Sequence, residues 1–206
     1  MLMGLIFLKT GLFEWRAVSN RPPVGTIVRV AVTAAVGAAV VEEFFFRGLL
    51  MGVSLRAAST RWALVFVTFV YTAVHFLKPP DSVEIASDAV TWGTGFWLVG
   101  QIFVQFGNPL FVVAEFATLF AVGWVLGMAR LQTGALWASI GLHAGWIFGL
   151  KFFSAMTRKA SPVEETLPWI GRNLKEGLVP LAVVTLTGVV VWWWLRGREK
   201  GKGGYF

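Results

Sequence analysis

The chain contains no cysteine. Disulfides, thiolate metal ligands and a cysteine nucleophile are thereby excluded. Charge is also scarce: Asp, Glu, Lys and Arg make up 14% of the 206 residues, against about 25% in an average soluble domain. That is too little to cover a water-facing surface. Acidic residues number only 11, and histidine occurs twice, as His75 and His143. Apolar residues fill the rest, at 56% of the chain with a mean hydropathy of +0.69. The length allows one domain, and its expected solvent is lipid.

The 18 Lys and Arg give a net charge of +7. They fall between apolar runs and at Arg196, Arg198, Lys200 and Lys202. Basic residues flanking spans read as positive-inside anchors and contacts to anionic lipid. Membrane lipid is therefore an expected partner and nucleic acid is not. Trp192, Trp193 and Trp194, just before Arg196, fit an interfacial aromatic belt.

Six apolar runs are long enough to propose membrane helices. They cover Val24 to Phe46, Arg61 to Leu77, Thr91 to Phe106, Leu110 to Ala129, Ala135 to Met156 and Leu178 to Leu195. Pro22-Pro23, Lys78-Pro79-Pro80, Gly107-Asn108-Pro109 and Gln132-Thr133-Gly134 punctuate them. Gly48 to Arg61 reads as a short connection, and Thr157 to Lys175 as a loop with room for a surface helix. The expected fold is an all-α, polytopic transmembrane helix bundle of about six spans, occupying residues 24–195. Residues 1–23 form an N-terminal membrane-associated segment or partial helix, with a shortened N-terminus as an equal alternative. Residues 196–206 form a basic tail. An even number of spans puts both termini on one side, and the basic clusters make that side cytoplasmic. Gly123-Gly127 and Gly141-Gly145 have the four-residue spacing that allows close helix approach.

Several ionisable residues stand inside these runs. Glu42 and Glu43 end the first, and Arg47 follows. A charge at the bilayer centre costs about 2.5–3.5 kcal/mol by insertion scales. Glu43 and Arg47 are four apart and form a self-sufficient ion pair on one helix face. Glu42 lies about 100° away around the helix and has no local partner. His75 ends the second run, and His143 sits within the fifth. Taken singly, each has a bland reading: an interfacial ion pair, a satisfied core histidine, a Ser139–His143 hydrogen bond. Taken together, a carboxylate and two imidazoles on three membrane helices constitute a functional hypothesis.

Two chemistries suit that set. A carboxylate beside an imidazole holds and deprotonates a water, while a second imidazole donates to an oxyanion. Alternatively Glu42, His75 and His143 would ligate a divalent metal such as zinc, leaving a fourth position for water. No His-Glu-x-x-His sequence occurs, so each ligand would come from a different helix. Ser139 and His143, four apart on one helix, make a poor nucleophile and base. Asp81 and Asp88 lie outside the runs, which argues against an aspartyl mechanism.

On these residues the chain resembles the CPBP family of CAAX-processing and bacteriocin-processing (Abi) intramembrane proteases. The family's Glu-Glu-x-x-x-Arg is here Glu42, Glu43 and Arg47. Its Phe-x-x-x-His is Tyr71 to His75, with Tyr for Phe. Its His-x-x-x-Asn starts at His143, preceded by a family-like Thr133-Gly134-Ala135-Leu136-Trp137. The likeness covers roughly residues 24–153. It implies an endopeptidase in which Glu42, His75 and His143 act without a metal, on peptide or lipidated-protein substrates. Glu42 would activate water, His75 would assist it, Glu43 and Arg47 would support the site, and His143 would stabilise the oxyanion. One departure is Ile147, at the position of the family Asn. Either another group, with Tyr71 or Ser139 as candidates, replaces that donor, or activity is weakened or lost. Ile147 favours a second reading, a non-proteolytic binding or immunity protein on the same fold. A third is a proton-coupled carrier, for which the fourth and sixth runs offer little beyond Glu115, itself read as interfacial.

Overall fold

The computed structural model describes residues 8–9, 11–77, 79, 83–107, 109–160, 168–171 and 174–201. Most of the expected N-terminal segment, the centre of the loop after residue 160, and the tail beyond residue 201 lie outside the described residues. The rest is an all-α bundle with one small ribbon. A strand β1 (Phe13–Trp15) precedes helix α1 (Val24–Ala57). Then come α2 (Thr60–His75), α3 (Thr94–Val104), α4 (Pro109–Thr133), α5 (Leu136–Met156), β2 (Thr157–Lys159) and α6 (Leu178–Gly201).

Helix α1 is longer than its apolar run. The connection expected from Gly48 is instead helical: Phe44–Leu50 is wound as a π-helix and Met51–Ala57 returns to α geometry. Arg47 has no need to leave the bundle, because its charge is met inside it by Glu43. Before the π segment, the buried face of α1 is a stripe of Ile27, Ala31, Ala35, Ala39 and Glu43. Small residues every four positions let a neighbouring helix approach closely, and the main neighbour of α1 is α5. The valines around this stripe, such as Val28, Val32, Val36 and Val40, face outward, as suits lipid.

The helices alternate in direction. Gly48 of α1 meets Leu136 of α5 while Glu43 meets His143, so these two run antiparallel. In α4, Gly123 lies against Thr68 and Tyr71 of α2, and Gly127 against Leu64. That pair is antiparallel too, and a Cβ at Gly127 would collide with Leu64. Among the described residues Gly141 and Gly145 have no neighbour a Cβ would touch, so their spacing serves no close packing there. Gly134, at φ +68, makes the tight turn from α4 to α5. Helix α6 runs parallel to α4: Lys175, just before it, pairs with Glu115 near the start of α4, and Gly188 meets Val125 further along.

Among the described residues three helices are long and apolar enough to cross a membrane: Val24–Ala57, Pro109–Thr133 and Leu178–Gly197. Helix α2 has only 16 residues, and His143 and Lys151 dilute the apolar character of α5. The third expected span shrinks to α3, whose 11 residues extend about 16 Å, roughly half a hydrocarbon core. This changes the path. With α3 adding no crossing, α1, α4 and α6 point one way, and α2 and α5 the other. Strand β1 pairs antiparallel with β2, directly after α5, with Phe13 opposite Lys159 and Trp15 opposite Thr157. The ribbon thus marks the end of the bundle where α1, α4 and α6 begin. The last turn of α6 lies at the far end, so the expected placement of both termini on one side does not follow from this path.

Candidate active site

The residues singled out from the sequence meet between α1, α2 and α5. Glu43 and Arg47 are both fully buried, with Arg47 Nη1 donating to Glu43 Oε1 at 2.9 Å. The same oxygen accepts a 2.8 Å bond from Nδ1 of His143. Arg47 Nη2 donates to the carbonyl of Gly123 at 3.1 Å. The guanidinium carbon sits 4.4 Å from the centre of the Tyr71 ring, within cation–π range. Arg47 thereby ties α1 to α2 and α4, and Glu43 ties α1 to α5. An internal charge costs least when paired and hydrogen-bonded, and this pair is both.

Glu42 takes the other side of the helix turn. Its Oε2 lies 3.8 Å from Nε2 of His75 and 3.8 Å from Nε2 of His143. Both separations exceed a direct hydrogen bond and suit one bridging atom. Oε2 is itself buried and accepts no hydrogen bond from the protein, although the Glu42 side chain as a whole is 31% exposed. The far nitrogen of each imidazole is fixed. His75 Nδ1 is 2.7 Å from the Tyr71 carbonyl oxygen, which only accepts, so Nδ1 carries the proton. His143 Nδ1 donates to the Glu43 carboxylate. Both rings therefore turn Nε2 toward Glu42. The cluster is reached from outside, since His75 is 23% exposed while His143 is 7%.

Two of these links leave no mark in the sequence. The four-residue spacing pairs Glu43 with Arg47 alone, yet Glu43 also orients His143. The Gly123 carbonyl was invisible as an acceptor, although the Gly123-Gly127 spacing signals the close approach that exposes it. Ser139 is corrected: its hydroxyl donates to the Leu136 carbonyl at 2.9 Å, not to His143. It is fully buried and already engaged, which leaves it a poor substitute for the missing donor at Ile147. Glu115 pairs with Lys175 at 3.8 Å and its side chain is largely buried within the protein. Among the described residues no group of three or more His, Asp or Glu is arranged to hold a metal ion. The alternative in which Glu42, His75 and His143 ligate zinc has no preformed ligand set.

The fold and cluster together define a helical membrane protein with a polar centre on three helices. Comparison with protein families makes the class specific: residues 24–149 match the family model of the Rce1-like type II CAAX prenyl endopeptidases. The chain belongs to this family of membrane proteases. No curated protein and no solved structure matches it.

Proposed function

We propose that the chain is an intramembrane endopeptidase that hydrolyses peptide bonds of membrane-associated or prenylated substrates with a water activated by Glu42. The observation that carries this reading is the orphan Oε2 of Glu42, equidistant at 3.8 Å from two imidazole nitrogens. A water there would be held by three groups at once. Glu42 would take its proton as the oxygen attacks the scissile carbonyl, then return that proton to the leaving amine. His75, its tautomer set by the Tyr71 carbonyl, would orient the water. His143, with Nδ1 already donating to Glu43, would have to hold a second proton on Nε2 to donate to the tetrahedral oxyanion, and the Glu43 carboxylate would balance that charge. Glu43 and Arg47 would hold His143 in place. The catalytic unit would be the multi-pass bundle of residues 24–195.

Ile147 supports the second reading, a non-proteolytic membrane protein on the same fold. It stands one turn beyond His143, where an amide would add an oxyanion donor. The test of both is Glu42→Gln, which keeps shape and removes the base. Cleavage of a prenylated peptide ending in CAAX, measured in detergent or liposomes, should fall by about 10²–10⁴, the usual contribution of a general base. The helical circular dichroism should stay unchanged. Undiminished cleavage would eliminate Glu42 as the base. No cleavage by the unaltered chain across prenylated and leader-type peptides would leave the non-proteolytic reading standing.

A further inference from the structure

Helices α4 and α6 enclose a second cavity that takes no part in the chemistry above. It is a groove of about 640 Å³ lined by Phe120, Ala121, Trp124 and Val125 of α4 and Leu181, Gly188 and Trp192 of α6, among others. None of Glu42, Glu43, Arg47, His75 and His143 lines it. Its floor is the contact of Gly188 with Val125, where any Cβ on Gly188 would collide. The missing side chain brings the helices together at one line and leaves the trough beside it. We propose that this groove binds one acyl chain of an anionic phospholipid, with the phosphate seated on Arg196.

Three observations support this occupant. First, the walls are apolar except for Thr185 midway and Gln132 at the far end. Second, the groove is long enough to hold an acyl chain: its α6 wall, from Leu181 to Trp192, rises about 16 Å, and its α4 wall, from Phe116 to Gln132, about 24 Å, against about 15 Å for half a hydrocarbon core. Third, the far mouth is positively charged. Trp192 lines it, and the Arg196 guanidinium is held 4.2 Å over that ring. A cation fixed by an indole where an apolar trough ends is complementary to a lipid phosphate. No acidic side chain lines the groove.

A bound lipid would also finish a sparse helix interface. Among the described residues only α4 packs extensively on α6, and 6% of the α6 span is buried against them. An acyl chain in contact with both walls would supply the missing packing.

The experiment is native mass spectrometry of the full chain, purified from nanodiscs holding equal phosphatidylglycerol and phosphatidylcholine. The unaltered protein should retain a single phosphatidylglycerol in clear preference to phosphatidylcholine. Arg196→Gln should reduce that preference by roughly fivefold, the effect of one basic residue at a lipid surface. Ala121→Trp and Thr185→Trp, one on each wall, should abolish retention, with folding checked by circular dichroism. Equal retention of the two lipids, or a preference that survives Arg196→Gln and both tryptophans, overturns the proposal. Stoichiometric displacement of the lipid by farnesol also overturns it, since the groove would then belong to the substrate.

Discussion

At the scale of single residues, Glu43 is the side chain on which most depends. One of its oxygens accepts from both Arg47 and His143, so its removal acts on two helices at once. Glu43→Ala leaves the Arg47 charge buried without its carboxylate. Breaking one half of a buried pair costs about 3–5 kcal/mol. Equilibrium unfolding in mixed micelles should show a loss of that size, whereas Glu42→Ala should unfold like the parent. Equal effects would mean that the two glutamates share one role. Ile147 makes the converse prediction. Losing one oxyanion donor commonly costs about 10²–10³ in rate, so Ile147→Asn should raise kcat on a peptide substrate and leave KM near its starting value. An unchanged kcat would show that the donor is supplied elsewhere. The sequence disclosed these residues because charge inside an apolar helix is costly. It did not disclose that Glu43 also receives His143, because the four-residue spacing to Arg47 already gives that carboxylate a partner and a contact between helices a hundred residues apart leaves no local pattern.

At the scale of elements, glycine decides which helices touch. Gly127 faces Leu64 across the α2–α4 contact, with the Met51 side chain also close by. A larger residue must push α4 outward, and α4 carries the Gly123 carbonyl that receives Arg47. Gly127→Val should therefore cost about 1–3 kcal/mol through overpacking, and should lower activity although no catalytic group is altered. The corresponding change at Gly145, where nothing lies within reach of a Cβ, should be neutral in both assays. A loss at both sites alike would contradict this account of the packing. The two Gly-x-x-x-Gly pairs look identical in sequence. They differ because Gly123 and Gly127 face α2, whereas Gly141 and Gly145 have no packing partner, a distinction set by the rotation of each helix about its axis. The length of α1 is hidden in the sequence for a related reason. Gly48 and Ser54 resemble a connection, but Gly48 packs on Leu136 and the Ser54 hydroxyl bonds the Leu50 carbonyl. A glycine that is packed and a serine that bonds its own helix do not end a helix.

At the scale of the whole molecule, the path of the chain distributes charge unevenly. The far end gathers Arg56, Arg61, Arg130 and Arg196, and Arg198 and Lys200 follow in the last turns of α6. Glu199 is the one acidic residue with them. At the ribbon end, Arg16, Arg21, Arg158, Lys159 and Lys175 are interleaved with Glu14, Glu115 and Glu176, including the Glu14–Arg158 ion pair at 2.7 Å. The positive-inside rule counts Lys and Arg and gives Asp and Glu little weight, so it does not separate the two ends. The scarcity of acidic residues at the far end motivates the prediction that this end faces the cytoplasm and the ribbon the opposite side. Trp62, Trp137 and Trp193, all strongly exposed near the far end, fit an interfacial belt there. The lack of cysteine makes this simple to check, because single thiols introduced at Ser19 and at Gly197 have no background. In sealed cells a membrane-impermeant maleimide should label Ser19→Cys, and should reach Gly197→Cys only after the membrane is opened. The reverse pattern would invert the molecule and keep its path. Labelling of both positions from one side would require an even number of crossings, and α3 would then have to span the membrane with its 11 residues.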